Sequence, residues 1–175
     1  VQRYPNQADI HNNLANVYKA LNLTSEANAH YQKALNINPK YFDAFKNLIV
    51  LLLENNEVGQ AKSYLNKYNA AFSSLPSFMK LQADLCAQNK DFDDAAQIFK
   101  KLLKSNPNYI QATVGLANAY SALDRHQEAI ALLKGALSKG ESSSALYRLA
   151  LSYFEVHEFD SAKACFQRVL EISPD

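Results

Sequence analysis

Tryptophan is absent from this 175-residue sequence, and glycine (4) and proline (5) are scarce. An enzyme with many tight turns or a phosphate-cradling loop would need more glycine. Neither sign of charge dominates, with 18 Lys and Arg against 17 Asp and Glu. That balance argues against a nucleic-acid binder working mainly through phosphate neutralisation. No basic run is longer than Lys100-Lys101. The two cysteines, Cys86 and Cys165, cannot build a disulfide framework. Each lies in an apolar helical pattern, which predicts a buried thiol. The longest apolar run, Leu48 to Leu53, is far short of the roughly 20 residues a membrane span needs, so no membrane insertion is expected. No signal peptide is visible. The chain starts at Val1 without methionine, which is compatible with a removed leader. Compartment stays open, with a cytoplasmic setting favoured.

What is present is a repeat. The sequence is 48% hydrophobic, enough for a packed fold. Ala27, Ala61, Ala95, Ala129 and Ala162 are separated by 34, 34, 34 and 33 residues. Prolines follow the same lattice at Pro5, Pro39, Pro107 and Pro174, with Ser73 and Glu141 at the two points where proline is missing. Only Pro76 lies off it. Each unit carries two stretches with apolar residues at helical spacing. Leu14, Ala15 and Tyr18 mark one helix of the first unit, and Ala27, Tyr31 and Ala34 the next. Pro39 stops the second, because proline has no amide donor and clashes with the preceding turn. The fixed alanine near the start of each second helix suits a close helix crossing, where a larger side chain would hold the axes apart.

This arrangement resembles the tetratricopeptide repeat family over nearly the whole chain. Asn13-Leu14-Ala15-Asn16-x-Tyr18 followed by Ala27, Tyr31, Ala34 and Pro39 is a near-complete match. The fifth unit matches through Leu149, Ala150, Tyr153, Ala162, Phe166 and Pro174, and the fourth through Leu116, Ala117, Tyr120, Ala129 and Ala136. The third keeps Ala83, Ala95, Phe99 and Pro107 but has Cys86 where tyrosine is usual. The second is the most divergent, with Ile49 at the small-residue place and Tyr68 at the late alanine, and an altered packing angle is expected there. The resemblance implies an all-α fold, a right-handed superhelical α-solenoid of antiparallel helix pairs. The repeats fall at about 8–41, 42–75, 76–109, 110–142 and 143–175, as a single array, with 1–7 ending a preceding repeat.

The periodicity predicts helices over 7–21, 24–36, 41–55, 58–71, 76–88, 92–104, 109–122, 126–139, 143–156 and 159–172. Turns inside the pairs carry Asn22, Asn56, Asn89, Asp124 and His157, of which the Asn and Asp tolerate left-handed backbone. Thr24, Asp91 and Asp160 near second-helix starts are expected to satisfy free amides or complement the helix dipole. Gly140 is expected to end a helix in the left-handed region, accounting for the residue lost between units four and five. Pro5 reads as the stop of an earlier unit, and no polar capping helix follows Pro174, so a segment of a longer array is expected.

In this family the first helix of each pair lines the concave face. The resemblance therefore assigns a peptide-binding surface to Asn12, Asn16, Lys46, Asn47, Val50, Lys80, Asp84, Gln111, Val114, Asn118, Tyr147, Arg148 and Leu151. Amides can both donate and accept, so they suit a peptide backbone of any sequence. Aromatic and arginine side chains are favoured anchors for specificity. Equally, Asn13 and Asn47 could simply bond across adjacent helices, and Tyr147 and Phe154 could pack against a sixth unit. Chaperone-docking members grip a terminal carboxylate with two lysines, two asparagines and an arginine. Asn16 and Asn47 match the asparagines, but Asn12, Ser77 and Leu81 stand at the other places, which argues against that clamp. Asn13, Asn16 and Asn47 are also similar to the asparagine ladder of glycosyltransferase-linked arrays, which fades here at Leu81 and Gly115.

Nothing in the residues converges on catalysis, a metal or a cofactor. His11, His30, His126 and His157 have no histidine or cysteine at i+4, so no helical metal pair exists. Lys139-Gly140-Glu141-Ser142-Ser143-Ser144 lacks the strand and flanking glycine of a phosphate loop. Two readings follow: a scaffold that binds a protein or peptide ligand, with no nucleic acid, or a structural spacer. The spacer would self-associate through exposed terminal faces, or be appended to a catalytic domain such as a transferase outside the segment.

Overall fold

A computed structural model of the chain describes residues 6–173. Pro5 and Pro174 lie outside the described residues. Among the described residues there are ten helices and no strand: α1 (Gln7–Ala20), α2 (Thr24–Ile37), α3 (Phe42–Glu54), α4 (Val58–Phe72), α5 (Pro76–Gln88), α6 (Phe92–Ser105), α7 (Ile110–Ala122), α8 (His126–Leu137), α9 (Ser143–Glu155) and α10 (Phe159–Ile172). This is an all-α array of repeated helix pairs. No end departs from the periodicity by more than two residues. Pro76 is the first residue of α5, where a missing amide costs nothing.

The proline lattice explains the ends of the second helices. α2 and α6 stop two residues before Pro39 and Pro107. α4 meets Ser73 instead of proline and runs one residue further, to Phe72. α8 ends at Leu137, two residues short of the place set by α6, and Gly140 has no positive φ. The expectation of a left-handed Gly140 is therefore corrected: Ser138 and Lys139 close the helix through Lys134 and Ala136 carbonyls.

The turn inside every pair is built the same way. Asn22, Asn56, Lys90, Asp124 and His157 sit at φ between 57° and 66°. The next amide reaches back five residues, as Leu23 to the Tyr18 carbonyl at 2.9 Å and Asp91 to Cys86 at 2.9 Å. This bond satisfies a carbonyl left free at the helix end. In the third pair the left-handed residue is Lys90, not Asn89, although lysine seldom visits that region.

The expected side-chain caps on the second helices do not form. Leu23, Glu57, Asp91, Arg125 and Glu158 precede them, with ψ between 51° and 74° and no side-chain cap bond. A capping side chain needs extended backbone, as at Asn6 (ψ 160°) and Ser142 (ψ 118°), which do cap α1 and α9. Thr24 and Asp160 already lie inside their helices. The Asp91 carboxylate instead accepts from Asn89 Nδ2 at 2.6 Å.

The chain divides into two compact units, Val1–Leu81 and Gln82–Asp175, with the division inside α5. In the first, α1 packs on α2, α2 on α3 and α3 on α4, and the first helices α1 and α3 also touch. In the second, α6 through α10 pack in succession, and α7 touches α9. The lattice alanines Ala27, Ala61, Ala95, Ala129 and Ala162 are all buried. So are Ala15, Ala83, Ala117 and Ala150 on the first helices, with Ile49 buried at the matching place in the second pair. There the core becomes aromatic: the Phe45 ring lies 5.0 Å from Phe72, 5.3 Å from Tyr68 and 5.7 Å from Phe78. Cys86 and Cys165 are half-buried rather than enclosed, and burial still pushes the Cys165 thiol up.

Ile10 and Val17 on α1 are half exposed, whereas their lattice equivalents, from Ala44 and Leu51 to Ala145 and Ser152, are buried. No described second helix lies against that side of α1. On α10 only Ala162 is buried, and Phe159, Leu170 and Ile172 are exposed.

Candidate functional site

A helix brings residues three and four apart onto one face. Asn12 and Asn16 share a face of α1, Lys46 and Val50 a face of α3, Val114 and Asn118 a face of α7, and Tyr147 and Leu151 a face of α9. In the first unit the amides of this face bond to one another. Asn47 Nδ2 donates to Asn12 Oδ1 at 3.2 Å and to Asn16 Oδ1 at 3.3 Å. The buried Tyr31 hydroxyl also donates to Asn16 Oδ1, at 2.6 Å. Burial, with the Glu54 charge, pushes that phenol up. Burial first, then Asp9, push the Tyr41 phenol up, with Asn12 opposing. Lys19 and Glu54 close the row with an ion pair of 2.7 Å, and Lys46 pairs with Asp43 at 3.6 Å.

These bonds make Asn47 a link between adjacent repeats. Asn12 is 5% exposed, so removing its donor leaves an acceptor shielded from water. Asn47→Ala is expected to destabilise the protein by about 1–2 kcal/mol. Asn118→Ala, on an exposed side chain with no partner, should stay within about 0.5 kcal/mol. Urea unfolding followed by circular dichroism reads both, and equal losses would remove the distinction.

In the second unit the face stays open. Gln111 and Asn118 are exposed on α7 and have no side-chain partner among the described residues, with Val114 half-buried between them. On neighbouring α9, Tyr147 is 50% exposed and packs edge-on against Phe166 at 5.8 Å. Leu151 and Arg148 are half-buried. Burial lowers the Arg148 guanidinium, with Tyr147 opposing that shift. Phe154, two turns beyond Tyr147, is exposed and packs edge-on with Phe159 at 5.6 Å. Lys80 and Asp84 are half-exposed on α5, and neither is free of partners.

A search along single helices misses pairs made between helices. His11 and His30 meet across α1 and α2 with Nδ1 atoms 3.0 Å apart, and Tyr18 lies 5.3 Å from the His30 ring. One nitrogen must donate and the other accept, so both rings cannot be protonated in this contact. Burial first, then Lys33 and His11, lower His30 below its usual 6.5. The folded state then binds fewer protons than the unfolded chain once pH falls below that value, so stability declines with falling pH. Wild type is expected to lose stability between about pH 7.5 and 5.5, and His30→Gln to flatten that slope, as read by thermal melts. An unchanged slope would exclude the pair as its source. No group of three or more His, Cys, Asp or Glu among the described residues is placed to hold a metal. No helix among them is long and apolar enough to cross a membrane.

Family models described as tetratricopeptide repeat match residues 8–41, 47–110, 87–144 and 143–175. The chain belongs to the tetratricopeptide repeat family. It is 26% identical to human anaphase-promoting complex subunit 7 over 152 residues, 86% of this chain and 27% of that protein. It is also 26% identical to human protein O-mannosyl-transferase TMTC3 over 189 residues, 97% of this chain and 19% of that protein. The chain thus spans about a quarter or less of these relatives. In fold it is similar to TTC0263, a tetratricopeptide protein of Thermus thermophilus, with TM-score 0.81, 20% identity, and 96% and 92% of the two chains covered. Proteins of this class mediate protein interactions and scaffolding.

Proposed function

We propose that this chain is a protein- or peptide-binding scaffold whose ligand lies on the first helices. The observation that carries this reading is the difference between the two faces. On α1 and α3 the amides Asn12, Asn16 and Asn47 are engaged with one another. On α7 and α9, Gln111 and Asn118 stand unpartnered beside Val114, Leu151 and the exposed Tyr147. Free amides suit an extended backbone, and a tyrosine held by Phe166 beside Arg148 is a suitable anchor. Peptides selected from a random display library would be measured by fluorescence anisotropy. Tyr147→Ala should weaken binding by about tenfold or more, and Asn118→Ala by a smaller factor. Retained affinity in Tyr147→Ala and Asn118→Ala together would sink the reading.

A second reading rests on α10, where Leu170 is 66% and Phe159 55% exposed. There the chain acts as a self-association module. Light scattering over a concentration series would show mass rising in wild type and constant in Leu170→Asp. A strictly monomeric wild type would exclude it. The likeness to a protein O-mannosyl-transferase supports an array appended to a catalytic domain, in which case the chemistry lies outside these residues.

A further inference from the structure

The early end of α8 leaves a hollow of about 430 Å³ under the Ser138–Ser142 connection, touched by Pro107, Asn108, Ile110, Thr113 and Lys139. A second hollow of about 400 Å³ continues along α6 and α8, over Leu103, Leu132 and Gly135. Thr113, Ala136, Pro107 and Lys139 line both. The floor is aliphatic. In the first unit the corresponding hollow is lined by Lys67 and Tyr68, two lattice periods earlier than Gly135 and Ala136. The second unit therefore offers bare backbone and a methyl group where the first has a cation and a ring. A Cβ added at Gly135 would meet nothing within 4 Å.

Two polar features point to what enters. Thr113 is 3% exposed and lines both hollows. Its hydroxyl can both donate and accept, which suits a peptide group entering there. The rim carries Lys139 and Glu141. Glu141 is already held by Arg168, whose Nε and second terminal nitrogen donate to its two oxygens at 2.6 and 3.0 Å. Among the described residues Lys139 has no ion-pair partner. Arg168 also binds Glu171, so Lys139 is the rim cation outside that cluster, and the N-terminus of α9, capped by Ser142, adds positive potential beside it.

We propose that this hollow is a second peptide site, distinct from the first-helix face, which takes an aliphatic side chain of a partner flanked by a carboxylate. The side chain lies over Gly135 and Ala136, the carboxylate meets Lys139, and the Thr113 hydroxyl bonds to the peptide.

The test is a ¹⁵N chemical-shift titration of the full chain with N-acetyl-leucine, which joins an isobutyl group to a carboxylate. Saturable shifts are expected at Thr113 and across Ser138–Ser142. N-acetyl-leucinamide, lacking the charge, should bind about tenfold more weakly, and Lys139→Glu should weaken the acid by a similar factor. Gly135→Leu places a side chain over the hollow from a Cβ position that meets nothing within 4 Å, and should abolish the shifts without lowering the melting temperature. Absence of saturable shifts in wild type would overturn the proposal. So would equal affinity for acid and amide, or binding that survives both substitutions. Shifts confined to Tyr147 and Leu151 would also overturn it while favouring the first-helix face, so the two sites fail separately.

Discussion

Phe45→Ala is expected to cost about 3–5 kcal/mol, the range for deleting a fully buried ring. Phe45 has no exposed surface, and four aromatic rings lie within 6.1 Å of its centroid: Phe42, Tyr68, Phe72 and Phe78. These rings come from α3, α4 and α5, so the cavity would be shared by three helices and could not close by shifting one of them. A repeat array gains stability mainly from interfaces between neighbours. The loss should therefore appear first as faster amide exchange in α3 and α4, ahead of α7 to α9. Phe154→Ala, on a ring that is 54% exposed, should cost about 0.5 kcal/mol or less. Urea unfolding and native-state exchange together test this, and a Phe45→Ala protein as stable as Phe154→Ala would refute the aromatic core.

The second large effect is at Gly115. A Cβ there would run into Phe99 Cζ and lie 2.7 Å from Cε1, and the Phe99 ring is 1% exposed. Alanine gains about 1 kcal/mol over glycine in a helix interior. Overpacking a closed core usually costs about 1–3 kcal/mol, and here the obstacle is an enclosed ring rather than a flexible tip. Gly115→Ala is therefore expected to be destabilising by about 1–2 kcal/mol in spite of its better propensity. Phe99→Leu should relieve the clash, because the same two lattice places carry Leu65 with Leu81 in the preceding repeat. The double-mutant cycle should show a favourable coupling of at least about 1 kcal/mol by thermal or urea unfolding. A Gly115→Ala protein more stable than wild type would mean that the ring moves aside.

The glycine illustrates where sequence reading stopped. At that lattice point Asn13 and Asn47 precede it, so Gly115 reads as a gap in a row of asparagines. The structure supplies the cause: a phenylalanine from α6 occupies the space. The misplaced details have a similar origin. Asn89 looked like the left-handed residue because asparagine tolerates that region, but the turn counts from the last turn of α5 and falls on Lys90. Asp91 looked like a cap, but the preceding turn fixes its ψ at 63°, which aims the carboxylate away from the α6 amides. Geometry handed on by the first helix outweighed side-chain preference in both cases.

Of the candidate face, the helices and their spacing were legible, and the state of each side chain was not. Asn16, Asn47 and Asn118 are the same residue type on equivalent helices. Two of them bond to a neighbouring repeat and the third has no partner. Nothing within one helix separates them, because the partners lie 31 and 35 residues away.

By itself the sequence determined the ten helices, their pairing and the 34-residue register, since these follow from local periodicity, proline positions and the small residues at crossings. Tertiary structure alone decided which amides remain free, why Gly115 must be small, and that α8 stops early over a hollow. Those outcomes depend on side chains brought together from different helices, and their distances are set by packing rather than by spacing along the chain.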